Sequence, residues 1–268
     1  MKSSSRPVDV LRTLFERALS ADEFEFCSTL LRIRGMEGPG WDPLFESQEM
    51  ALQLTSQISA PIEDRFRLRL ILLLYCHLTE MNDLYNIVGN LLRILSGHRY
   101  NMMPFSKINH PSEKDASTPT AKKERIKEWA VANDCKEVGD LFNDFLLKPV
   151  RNAFFHSDYI ITDDSFNIRY GEPVIIGQEL TRKVPLEWLI PKLELGINTG
   201  IGVIQLTAGY IQSYKSDKIV HGRFGPNNSY CDIQLTTDEG YGLTGFRTPP
   251  DPEFLKKNRG EQGAVANA

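Results

Sequence analysis

The segment Arg151-Asn152-Ala153-Phe154-Phe155-His156 places a guanidinium, a carboxamide and an imidazole within six residues. These groups have the chemistry to cleave a phosphodiester. A guanidinium holds a phosphate through paired N–H donors and neutralises charge as it develops. An imidazole exchanges a proton with a ribose hydroxyl near neutral pH. At 100° per residue, Asn152 and His156 fall within about 40° of each other on one helix face. Arg151 lies about 140° round from His156, so its long side chain must reach round to share a cleft. Pro149 permits a distortion there, because it lacks a backbone donor and restricts Lys148.

The elements that must position these groups are mostly helical. Val8, Leu11, Leu14, Phe15 and Leu19 recur at helical spacing, and Leu30, Leu31 and Ile33 follow Cys27. Residues 37–43 then break the chain through glycines and prolines, and Met50, Leu52 and Leu54 predict another short helix. A central helix is expected from Pro61, with Glu63 and Asp64 at the positive end of its dipole. Ile62, Phe66, Leu70, Leu74 and Leu78 form its stripe, and residues 70–75 are apolar nearly all round. Leu84, Val88, Leu91, Leu92 and Leu95 carry the pattern to Ser96-Gly97. Residues 106–120 read as a polar loop. Helical character resumes over 121–132 and again from Glu137 towards the Arg/His segment.

Beyond Tyr159 the pattern predicts a hairpin, with residues 159–161 and 166–170 as its strands and Val174 to Ile176 as a third. A helix restarts at Pro185 and runs to Tyr214. Strands are expected around Ile219 and over Cys231 to Leu235, and residues 260–268 are expected to be disordered.

Composition narrows the function classes. The chain has 268 residues and a net charge of −4, so RNA binding requires a local basic patch or one assembled across subunits. Cys27, Cys76, Cys135 and Cys231 form no CxxC pair and have no histidine at metal-ligand spacing. They point to a reducing cytosol, with no metal and no cofactor. The polar N-terminus has no apolar h-region and predicts no signal peptide. Residues 195–214 carry no charge, yet their four glycines, Asn198, Thr199 and Gln205 favour a tightly packed buried helix over a membrane span. No Walker loop, dinucleotide fingerprint, GxSxG elbow or HExxH motif occurs.

The Arg-Asn-x-x-x-His pattern late in a helical bundle resembles the HEPN superfamily, whose active members are metal-independent ribonucleases. The resemblance covers about residues 60–214 and implies a mainly α fold. That fold is a HEPN-like bundle over 60–214 with a hairpin insertion near 159–177, an N-terminal helical extension over 1–59 and a partly β or irregular tail over 215–268. It implies a homodimer in which two signature helices meet across one cleft. Arg151 is then the phosphate-binding cation, His156 the general acid or base, and Asn152 a positioning residue. Tyr159 and Lys148 are assigned to substrate contact. The implied reaction is attack of a ribose 2′-hydroxyl on its adjacent phosphate, with RNA as the partner. An antitoxin or regulatory protein, a defence or stress setting, a cytoplasmic location and no membrane contact complete the expectation. One departure stands out: some active members carry a tyrosine two residues after the histidine, whereas Tyr159 is three residues after His156.

Competing readings remain open on the residues alone. His156 in a last helical turn also favours the dipole's negative end. Arg151 also suits carbonyls or an acid such as Asp158, and the whole domain also suits a non-catalytic module that binds nucleotide, RNA or a protein. A helical scaffold with no ligand is the third alternative. Glu80 is the acid first expected to face the signature, although a solvated carboxylate is the default for a helix end. Phe154 and Phe155 read as core or dimer packing before base stacking. The run Lys122, Lys123, Arg125 and Lys127 reads as a solvated face.

Overall fold

The computed structural model describes residues 6–32, 42–106, 116–224 and 229–249. The fold is mainly α with small antiparallel sheets; nine helices and eight strands occur among the described residues. Ile33, most of the glycine–proline break and residues 260–268 lie outside them.

Helix α1 (Arg6–Ala21) buries Leu11, Leu14, Phe15 and Ala18. Helix α2 (Glu23–Leu31) starts where the Asp22 carboxylate accepts the Glu25 N–H, which satisfies an otherwise orphaned donor. Helix α3 (Pro43–Ile58) has Asp42 as its N-cap and proline in its first turn.

Helix α4 (Asp64–Glu80) begins three residues later than the proline at 61 predicts. Glu63 is the N-cap, accepting from Arg65 N. The Arg67 guanidinium donates to the carbonyls of Ile58, Ala60 and Ile62, which holds the preceding turn out of the helix. The expected stripe holds at its C-terminal end, where Leu74 and Leu78 are buried, but Phe66 is exposed, and the buried face widens to include Leu68, Leu72, Tyr75, Cys76 and Thr79. Met81 is extended and separates α4 from α5 (Asn82–Leu95).

Helix α6 (Pro119–Ala132) starts two residues before the expected point, because Thr118 caps it and Pro119 fits its first turn. Helices α7 (Lys136–Phe145) and α8 (Lys148–Phe155) follow. The expected single hairpin is a larger insertion. Strands β1 (Tyr159–Ile161) and β2 (Ser165–Ile168) pair, but β3 (Val174–Ile176) joins β4 (Glu179–Thr181) in a separate two-stranded sheet. Strand β5 (Lys183–Pro185) returns to the other edge of β2, giving the order β1-β2-β5.

Helix α9 (Leu186–Ser213) runs through the core. Its small residues permit close approach: a Cβ added at Gly196 would lie 2.8 Å from Tyr75 Cε2, and one at Gly200 would lie 3.0 Å from Leu78 Cβ. Among the described residues, no helix is long and apolar enough to cross a membrane. The tail forms a meander of β6 (Lys218–Phe224), β7 (Ser229–Asp238) and β8 (Gly242–Arg247), the last unanticipated. Its inner face, with Val220, Ile233, Leu235 and Leu243, belongs to the same apolar core as α1 and α4. Phe24 of α2 meets Phe246 edge-on at 5.0 Å.

Candidate functional site

The α7–α8 junction is built around one phenol. Tyr75 Oη donates to Phe145 O and accepts from Leu147 N, each at 2.8 Å. Both groups sit at a chain break where helical bonding fails, so the hydroxyl supplies what the helices cannot. Burial pushes this phenol well above its ordinary pKa. The ring is backed by Gly196, where an added Cβ would lie 2.8 Å from it.

From this anchor α8 carries Arg151 inward and ends at His156. Arg151 is 8% exposed. Its Nε lies 2.9 Å from Glu80 Oε1, but the N–H points off that line, so the contact is an ion pair without a hydrogen bond. Nη2 reaches Asn152 Oδ1 at 3.4 Å, and buried Nη1 makes no hydrogen bond. Glu80 is therefore the acid that faces the signature, although it stays exposed at the helix end as surface statistics favour. It closes α4 facing the guanidinium, one turn beyond Cys76, with 41% of its side chain exposed. Burial pushes the Cys76 thiol up to about 12, while nearby Arg151 pulls it down and Glu80 pushes it up. Asp158, the alternative acid for Arg151, instead bonds the insertion.

His156 is the C-cap of α8 and is exposed. Ser157 follows in the left-handed region, φ 54°, with Ser157 N donating to Phe154 O at 3.1 Å and Asp158 N to Ala153 O at 2.8 Å. This is the Schellman closure, with serine where glycine is usual. It turns the chain sharply and leaves the imidazole projecting from the helix end. No hydrogen bond engages that ring among the described residues.

The other expected contacts are placed differently. Lys148 Nζ pairs with Glu172 Oε1 at 2.9 Å, joining α8 to the insertion. Tyr159 stacks on Phe154 at 5.5 Å and on Phe166 at 5.0 Å, and is half-buried. The structure thus brings Arg151 and Asn152 together, leaves His156 at the C-terminal end of the same helix with no hydrogen bond to Arg151, and commits Lys148 and Tyr159 to pairing and packing. His77 is half-buried, and burial lowers its pKa. Phe155 remains 51% exposed. In the basic run, Lys122 is buried, bonded to Asn82 Oδ1 and set 5.4 Å from the Tyr85 ring centre. That residue does not belong to a solvated face.

Sequence reasoning missed Tyr75, whose position in an apolar run carries no signal of its hydroxyl. It also missed the role of Asp158. Comparison of the chain with family models, curated proteins and solved structures finds no match in any of the three.

Proposed function

We propose that this chain is a HEPN-type, metal-independent endoribonuclease that acts as a cytoplasmic homodimer. The observation that carries the reading is the exposed, unengaged imidazole of His156 at the end of the helix that holds Arg151 against Glu80. In this mechanism the imidazole takes the proton of a ribose 2′-hydroxyl as its oxygen attacks phosphorus. The P–O5′ bond breaks, the 5′-oxygen takes a proton from the second histidine of the dimer, and a 2′,3′-cyclic phosphate remains. Arg151, nearly enclosed beside Glu80, lends positive charge to the phosphate from within the helix bundle. The resemblance in the Arg-Asn-x-x-x-His segment supports this assignment, and so does a mainly α fold with that segment late in the bundle. Defence, stress response or control by an antitoxin is the setting that goes with it.

A second reading is favoured by the burial of Arg151: the domain binds RNA, nucleotide or protein without cutting. Incubation with mixed single-stranded RNA in EDTA, beside a His156→Ala variant, separates the two. Cleavage by the unaltered chain alone, leaving cyclic phosphate ends, supports the nuclease. A folded dimer that leaves RNA intact supports the binding module.

A further inference from the structure

The insertion after the signature carries an aromatic ring with no role in the core. Tyr170 is 73% exposed, the largest exposure among the exposed large hydrophobic side chains. The Arg169 guanidinium sits 4.8 Å from its ring centre, a cation–π arrangement that leaves the rest of the ring to solvent. Arg182 adds a second guanidinium, its Nε donating to Gly171 O at 3.0 Å. Neither arginine pairs with a carboxylate among the described residues. Two unneutralised cations beside an exposed ring stand out in a chain with a net charge of −4.

This group is tied to the signature. Asp158 O accepts Arg169 N at 3.0 Å, and Asp158 Oδ2 accepts Tyr170 N at 2.9 Å. The same Asp158 closes α8 through its own N–H to Ala153 O. Two peptide units separate Asp158 from His156, so standard bond lengths keep the α-carbons of His156 and Tyr170 within about 15 Å. These hydrogen bonds continue the β1–β2 ladder and close α8, and in doing so they fix where Tyr170 stands relative to His156. A strand of nucleic acid spans such a distance: base stacking on aromatic rings and phosphate contact with arginine are the recurrent means of holding it.

We infer that Tyr170, with Arg169 and Arg182, forms a stacking platform for a nucleobase of single-stranded RNA whose scissile phosphate lies at His156. The inference rests on the ribonuclease reading above. Tyr170 is the binding residue, Asp158 positions it, and the two arginines meet the phosphates that flank the stacked base.

The test uses the full chain carrying His156→Ala, so that the strand stays intact, and a short single-stranded RNA bearing one 2-aminopurine. Anisotropy reads affinity, and 2-aminopurine quenching reads stacking. Tyr170→Ala is expected to weaken affinity about tenfold and abolish the quenching. Tyr170→Trp is expected to restore both, which a merely structural tyrosine does not require. Arg182→Gln is expected to lower the slope of log affinity against log salt by about one, with quenching kept. Tyr241→Ala, a similarly exposed tyrosine on the β7–β8 turn, serves as the control and leaves affinity unchanged. If Tyr170→Ala binds within twofold of its parent, or Trp fails to restore binding, the platform is overturned while the ribonuclease reading stands. If no chain binds RNA at all, both fall together.

Discussion

The Nε of Arg151 lies 2.9 Å from Oε1 of Glu80, and this contact joins the last residue of α4 to the middle of α8. The cation is nearly enclosed and the acid half-open. Removing the acid strands a buried charge. A wholly buried pair broken on one side costs about 3–5 kcal/mol, and an exposed one less than about 1. Glu80→Gln is expected to fall between these, at about 1–2 kcal/mol, read as a lower urea midpoint with unchanged slope.

Tyr75→Phe removes one hydroxyl and leaves two backbone groups without a partner. The ring and its packing survive, so the loss isolates the polar contribution. A destabilisation of about 1–3 kcal/mol is expected, since buried unsatisfied groups carry their full desolvation cost. On the proposed ribonuclease reading, RNA cleavage should fall further than stability explains, because the start of α8 loses its anchor. Activity measured well below the unfolding midpoint checks this.

Gly196→Ala sets two effects against each other. Alanine favours the helix by about 1 kcal/mol. Its methyl, however, would meet the Tyr75 ring at 2.8 Å and Phe145 Cδ2 at 3.1 Å, and both rings are enclosed. Overpacking of a tight core costs about 1–3 kcal/mol, so the clash wins and thermal stability drops. An unchanged melting temperature would show that the rings give way.

Ser157→Gly is expected to stabilise. Ser157 occupies the left-handed region at φ 54°, where an L side chain costs about 1 kcal/mol and glycine does not. Part of that gain is lost to the freer unfolded chain, leaving about 0.5 kcal/mol. Denaturation of the two proteins side by side reads the difference.

Burial raises the thiols of Cys27 and Cys76 from an ordinary 9.0 to about 12. A raised folded pKa means that the fold holds the proton more tightly than the open chain does. Their contribution is therefore complete below pH 9 and is lost as pH climbs from 9 to 12. Melting temperature should decline over that range, and Cys76→Ala should lessen the decline. Alkylation at pH 8 should spare both thiols in the native protein and label them in denaturant.

Periodicity made much of this molecule legible. Helices α7 and α9 follow from their apolar spacing, and the pair β1–β2 from its bounded apolar runs. The stripe on α4 was legible at Leu74 and Leu78 but not its width, because residues 70–75 are apolar on all sides and give no signal that Tyr75 and Cys76 would also turn inward. Strands β4 and β5 are three residues each and include Glu179 and Lys183, too short for alternation to register. Strand β8 hides behind Gly242 and Gly245. At the site, residue types were readable but directions were not. The last residue of a helix swings through 100° per position, so nothing in the sequence told Glu80 towards Arg151 from Glu80 towards water. Tyr159 likewise gave no sign that Phe154 and Phe166 would claim its ring.

The core shared by α1 and the closing meander also bears on how the chain is made. Leu11 and Phe15 begin an interior that Leu235 and Leu243 complete. At ordinary elongation rates, roughly 10 to 50 s pass between their emergence from the ribosome. Throughout that interval the side of α2 that takes β6 and β8 lacks its final partner. That edge of the core is thus closed late, and the nascent chain stays a client for whatever holds exposed apolar helices until then.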